Sequence, residues 1–300
     1  MPKTCFSTLS CPDWSWNDLL SKGAAAGFDG VEIRLLERET DLLKRPEFSA
    51  AERPQRRAEL KQSGFQVCVL ASSVRFDYPD ESTRNEQLEI GKQYLDLAAE
   101  LGSESVRVFG DVLPDSTDEN ARRTVMQQIA DGLQKLGEHA EPLGLTVVIE
   151  THGDYSNSEI VAQTLSKVES PAVGVLWDTH HPWRFCGEPL AETFARIKQW
   201  VRHTHWKDSI VRSGADLDSS GQNAADSAHN LMSGHKHADY VLFRGGEFPA
   251  LKCMKLLRQH GYDGWFSLEW EKMWHPELED PEIALPLFPV KIRELWEFAG

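Results

Sequence analysis

The chain predicts a closed (β/α)8 barrel, a TIM barrel built as a single domain over residues 1–300. Three observations carry that expectation. Short apolar runs alternate with longer amphipathic segments along most of the sequence, and alternating βα units imply a parallel sheet. There are eight such runs within 300 residues, which suits closure into a barrel better than an open sheet. An open doubly wound sheet would also favour a glycine-rich phosphate loop after its first strand, and the stretch STLSCPDWSW contains no glycine.

In order, the expected strands are TCFSTLS (4–10), GVEIRLL (30–36), QVCVLAS (66–72), SVRVFGD (105–111), LTVVIET (145–151), VGVLWDT (173–179), VRHTHWK (201–207) and GWFSLEW (264–270). Between them, SWNDLLSKGAAAGF opens on Ser15 as an N-cap and ends on Gly27. RNEQLEIGKQYLDLAAELG sets Leu88, Tyr94, Leu95, Leu97 and Leu101 near helical spacing. ENARRTVMQQIADGLQKLGEHAEPLG repeats the pattern before Gly144. No short-period repeat interrupts the series. Residues 209–247 do: they are rich in Gly, Ser, Asp, Asn and His and form a long insertion between the seventh and eighth barrel strands. Their first two thirds lack apolar periodicity, so an excursion over the barrel mouth is expected rather than another βα unit.

Apolar residues make up 40% and charged residues 26% of the chain, an ordinary balance for a globular protein with a large core. A formal net charge of −15 argues against nucleic acid as a partner, since phosphate binding needs a basic surface. The five cysteines (Cys5, Cys11, Cys68, Cys186, Cys253) are odd in number and include no CxxC pair. A reduced, cytoplasmic setting without structural disulfides is expected. The N-terminal residues lack a basic region followed by an apolar one, and no apolar run approaches a membrane span.

The late strands end on residues that a buried strand would not choose: Glu150, Asp178, the pair His203 and His205, and Glu269. Carboxylates are rarely buried unless paired or bound to metal. In a barrel the C-terminal strand ends build the active site. Four consecutive strands thus deliver Glu, Asp, His and Glu to one mouth, a donor set suited to Mn²⁺, Mg²⁺, Co²⁺ or Zn²⁺. Alternation puts His203, His205 and Lys207 on one face, so parity does not choose between the histidines. Depth does. His205 matches the level of the three carboxylates, whereas His203 is expected one layer lower, beside Val148, Leu176 and Ser267, as a supporting or core histidine.

GFDGVEIR, VVIETH, WDTHH, HTHWKD and GYDGWFSLEWE resemble the xylose isomerase-like TIM barrels, which include sugar-phosphate isomerases and epimerases, inosose dehydratase and an AP-endonuclease branch. The resemblance runs over nearly the whole chain. It implies one divalent metal, Mn²⁺ foremost, held by Glu150, Asp178, His205 and Glu269. It implies too that Glu150 and Glu269 serve as acid and base on opposite faces of a keto-sugar, with His181 reaching substrate oxygens. The expected activity is then a sugar isomerase or epimerase working through an enediolate. An inosose-type dehydratase and a carbohydrate-binding barrel without turnover are the alternatives. Arg107, His152 and Lys207 are expected to contact substrate; Glu32 or Arg34 to pair structurally. Trp14, Trp16, Trp183 and Trp274 are placed on strand-end loops, where each could stack on a sugar or pack at the surface.

Two departures bear on the branch. The ketohexose 3-epimerases carry a second glutamate six residues after the fifth-strand one and an arginine six after the metal histidine; this chain has Ser156 and Val211 there, with Arg212 next to the latter. The DNA-repair branch needs extra histidines for a three-zinc cluster, and VLASSV and VFGD offer none. The expected partners are a small sugar or polyol and a second copy of the chain in a homo-oligomer, with neither nucleic acid nor membrane. His229, His235 and His237 are expected to be polar residues of the insertion or oligomer contacts rather than a second metal site.

Overall fold

The computed structural model describes residues 1–115, 117–211 and 238–300. Eight parallel strands close into a barrel: β1 Lys3–Ser7, β2 Gly30–Ile33, β3 Gln66–Arg75, β4 Ser105–Phe109, β5 Thr146–Glu150, β6 Val173–Asp178, β7 Val201–Trp206 and β10 Trp265–Leu268. They run in chain order around the barrel, β10 closing against β1. All eight lie where the alternation predicts them, mostly with shorter ends, because the last residues of several runs turn out of the sheet into site-bearing loops. One is longer: β3 continues to Arg75.

Local chemistry sets the helices that cover the barrel. In α1 (Trp16–Ala25) Ser15 accepts from the Asp18 amide while Asp18 accepts from the Ser15 amide, a reciprocal cap. Asp80 and Asp118 cap α3 (Glu81–Leu101) and α4 (Glu119–Ala140) in the same acceptor role, after the more polar α2 (Arg53–Ser63). At the end of α3, Gly102 takes a φ of 76°, a left-handed conformation that stops the helix. The ring continues with α5 (Ser158–Leu165), the short α6 (His181–Phe185), α7 (Leu190–Ile197), α8 (Ala250–Gln259) and α9 (Pro281–Phe298).

Alternation along the strands divides the core in two. Phe6, Val31, Val147, Ile149, Val175, Trp177, Phe266 and Leu268 face outward into the helix-facing core. Cys5, Cys68, Val69, Ala71 and Trp265 form a smaller cluster of their own. Trp14 and Trp16 belong to the outer layer, against Phe6 and Phe48, and not to the mouth; large aromatic surface is worth more buried between helix and strand than on a loop. Trp183 lies against His180 and Phe248 beside the mouth, and Trp274 is partly buried in the segment after β10.

The insertion leaves β7 as a strand, β8 (Asp208–Val211), and returns as β9 (Ala238–Val241), paired antiparallel with it. That pairing is the finding the composition hid: the two four-residue ends, DSIV and ADYV, form a ladder. His229, His235 and His237 lie outside the described residues. Asp208 ties the return down, its two oxygens accepting from the backbone amides of Ser209, Arg244, Gly246 and Phe248 at 2.9–3.0 Å. Asp208→Ala would remove the shared acceptor of those four amides. We expect it to destabilise the protein by about 1–3 kcal/mol, seen as a lower melting temperature. No helix among the described residues is long and apolar enough to cross a membrane.

Candidate functional site

Glu150 is the last residue of β5 and Asp178 the last of β6; His205 is next to last on β7, and Glu269 follows β10 by one position. All four are buried, and one donor atom from each lies within 4.8 Å of the others. The structure therefore brings together the predicted four, with His205 and not His203 among them. Asp178 and His205 pair directly in register. Two details of the expected layer shift: Ser267 pairs with His205 and Trp265 with His203, and Glu150, not Val148, pairs with the Leu176 that faces His203. The stagger between neighbouring barrel strands moves β10 by two residues, so Glu269 joins the site from beyond its strand.

Each donor is aimed by a contact on its far side. Asp178 Oδ1 accepts the backbone amides of His180 and His181 at 2.8 and 2.9 Å, leaving Oδ2 turned inward. Glu32 Oε2 lies 2.8 Å from His205 Nε2. This pairing leaves His205 Nδ1 directed toward Glu269 and Glu150 at 3.2 and 3.4 Å. Glu32 itself is fully buried and also bonds His203 Nε2 at 3.0 Å. Its expected structural pairing is thus the orientation of both histidines. Burial alone would raise the Glu32 carboxyl, but His205 and His203 hold it far below the usual range. Arg34 instead bonds Ser73 at 3.0 Å, away from the four donors.

The inward atoms are short of partners. His205 Nδ1, Asp178 Oδ2 and Glu150 Oε2 are buried with no hydrogen bond of good geometry among the described residues. Native proteins seldom leave such atoms orphaned without a ligand to receive them. Three carboxylates and one imidazole nitrogen, converging on one buried point, fit a divalent cation.

Cationic groups ring the donors. Lys207 Nζ lies 2.9 Å from Asp178 and from Glu271, 3.0 Å from His181 Nε2, and in closer contact with Glu269. Burial would lower the lysine's pKa, yet Asp178, Glu269 and Glu271 raise it well above the ordinary value, so it stays charged. His181 donates from Nδ1 to the Thr151 carbonyl at 3.0 Å. Burial and then Lys207 push its pKa well down, which keeps the ring neutral. Arg107 stacks its guanidinium 3.8 Å over Phe109 and sits 3.3 Å from Glu150. Its Nε and Nη1 have no hydrogen-bond partner among the described residues. His152 Nδ1 is 2.7 Å from Asp111. Burial opposes the charge of His152, but Asp111 raises its pKa overall.

Three members of this cluster were not singled out by sequence. Glu271 shares strand parity with Glu269, a signal that was present in LEWE. Asp111 closes the fourth run at a φ of 51°, an unfavourable backbone that often marks a working site. Tyr240 comes from the returning β9, its ring 5.8 Å from Lys207 Nζ, and had no pattern to reveal it.

Residues 20–285 match the family model described as xylose isomerase-like TIM barrel. An inosose dehydratase of Lacticaseibacillus casei is 28% identical over 167 residues, covering 53% of this chain and 49% of that protein. A 3-dehydroshikimate dehydratase of Pseudomonas putida is 30% identical over 171 residues, 56% of this chain and 25% of that protein. The matched stretch thus spans about half or less of the length of these relatives. Among solved structures, an L-ribulose 3-epimerase superposes with a TM-score of 0.75 at 14% identity, covering 100% of this chain and 96% of that one. With an eightfold barrel and a family match across most of its length, the chain belongs to the xylose isomerase-like TIM barrel family.

Proposed function

We propose that this protein is a divalent-metal-dependent enzyme that removes a proton next to the carbonyl of a polyhydroxylated cyclic or open-chain ketone. The convergence of Glu150, Asp178, His205 and Glu269 on one buried point carries this reading. When bound there, a divalent cation would polarise the substrate carbonyl and make its neighbouring C–H more acidic. Mn²⁺ suits three oxygens and one nitrogen, and Mg²⁺, Co²⁺ and Zn²⁺ fit the same set.

The remaining work falls to side chains. Glu269 or Glu150 takes the proton from carbon, and the electron pair moves onto the carbonyl oxygen as an enolate. Lys207, held charged, offsets that negative charge. Arg107, its Nε beside Glu150, offers its Nη1 group to substrate oxygens. The enolate has two exits. In elimination the electron pair returns, the C–O bond to the β-hydroxyl breaks, and His152, whose pKa Asp111 raises against burial, supplies the proton that makes water. In isomerisation or epimerisation the second glutamate returns the proton to the neighbouring carbon or the opposite face.

We favour elimination, a dehydratase acting on an inosose-like or dehydroshikimate-like ring. Two observations support it: the His152–Asp111 pair beside the site, 2.7 Å apart, and two relatives that are dehydratases. The paired glutamates keep isomerisation as the second reading. The metal-loaded protein incubated with an inosose or 3-dehydroshikimate should release water and build a conjugated double bond, followed by ultraviolet absorbance. Epimerised ketose without absorbance would support the second reading; no conversion of either kind would sink both.

Metal binding should also depend on pH. Burial lowers the pKa of His205, but Glu269, Glu32 and Glu150 raise it well above the ordinary value, so the metal-free ring carries a proton at neutral pH. A cation at Nδ1 must displace it, and affinity should rise by about tenfold per pH unit. Below pH about 6, where burial places the Asp178 carboxyl despite Lys207, the dependence should steepen. Calorimetry across pH checks both slopes.

A further inference from the structure

Directly beneath the metal-binding cluster lies a second set of donors of different chemistry. Cys5 on β1, Cys68 on β3 and His203 on β7 offer two sulfurs and one nitrogen within 4.8 Å of one another, all buried. The three come from distant parts of the chain. Cys5 pairs in register with Gly30, so the intervening strand presents no side chain at that level. A Cβ at Gly30 would lie 2.5 Å from the Gln66 carbonyl oxygen and 3.0 Å from the Trp265 ring. Between Val31 and Glu32 the β2–β3 register shifts, leaving Cys68 as the extra residue on β3. Such bulges re-aim side chains and recur beside functional sites.

His203 repeats the arrangement of His205. Its Nε2 is held by the same Glu32 carboxylate, at 3.0 Å, and one of its ring nitrogens lies within 4.8 Å of both sulfurs. Cys68 Sγ donates to the Val31 carbonyl at 3.2 Å, and Cys68 and His203 hold the Cys5 thiol below its usual range against its burial. A carboxylate that fixes the far nitrogen of a histidine is the usual support of a ligating imidazole. Glu32 thus stands between two donor sets. The upper one is dominated by oxygen; the lower is dominated by sulfur.

We propose that Cys5, Cys68 and His203 form a second, buried binding site for a thiophilic metal ion, zinc being the fitting physiological class. Binding replaces two thiol protons by two metal–sulfur bonds and releases both protons to solvent. Two thiolates and an imidazole prefer such an ion to Mg²⁺ or Mn²⁺, so the two sites sort metals by softness. The site is independent of the reaction proposed above.

Cobalt supplied to expressing cells in place of zinc tests it, because the ion is then present as the barrel folds. The purified wild type should hold two equivalents, with a sulfur-to-cobalt charge-transfer band and a sulfur shell in X-ray absorption. Cys5→Ser and Cys68→Ser should each lose the band and one equivalent. His205→Ala should lose the other equivalent and keep the band, and the exposed Cys186→Ser should keep everything. A wild type without the band or sulfur shell overturns the site, as does a band that survives both buried serine variants. If neither serine variant folds, the wild-type sulfur shell, compared with Cys186→Ser, decides alone.

Discussion

Glu269→Gln should lower turnover by about 10²–10⁴-fold while the protein still folds and binds metal, because the amide keeps an oxygen donor but takes no proton. Glu269 is well placed for the loss to be chemical. Burial would raise its carboxyl, yet His205 and Lys207 hold it well below the usual range, so it meets the substrate ionised. Glu150 is depressed also, through Arg107 and His205 acting against burial. A parallel Glu150→Gln measurement then separates base from acid. In deuterated water, loss of the base stops exchange at carbon. Loss of the other glutamate leaves exchange and blocks the return of a proton. Lys207→Met should leave metal bound and reduce turnover, which distinguishes charge stabilisation from ligation.

The second large effect should come from a residue that touches no metal. Glu32→Gln is expected to weaken binding of Mn²⁺ or Zn²⁺ at the four-donor site by about 10–100-fold. Glu32 accepts from Nε2 of both His203 and His205, and one amide oxygen cannot fix both rings as the carboxylate does. With its far nitrogen released, the His205 ring is free to turn or change tautomer, and Nδ1 is no longer reserved for the cation. Isothermal titration of the variant reads the change directly. An unaltered affinity would mean that packing alone orients His205.

Much of this arrangement was legible before the structure. Strand ends that close on Glu, Asp, His and Glu violate the economy of burial, and a barrel gives one place for them to meet. The choice of His205 over His203 followed from depth, although β10 and β5 are each displaced by two residues from the levels assumed for Ser267 and Val148. What stayed hidden was set by contacts distant in sequence. Glu32 meets His203 across 171 positions, so nothing near GVEIR announces its partner. Trp14 and Trp16 follow the first strand as mouth residues would, yet the chain turns them into the helix layer. Asp208 carried no expectation in HWKD, and only the return of the chain supplies three of its amide donors. The departures at Ser156 and Val211 were plain in the sequence; the structure adds that Ser156 is buried and Val211 exposed.

The most direct test of the account is proton exchange followed by nuclear magnetic resonance in deuterated water. Metal-loaded wild type would be offered an inosose, 3-dehydroshikimate and a set of ketohexoses. The proposed chemistry predicts metal-dependent loss of the C–H signal beside a carbonyl, with or without a new double bond, abolished in Glu269→Gln or Glu150→Gln. Intact C–H signals across the whole set, with the cation bound at Glu150, Asp178, His205 and Glu269, would contradict it.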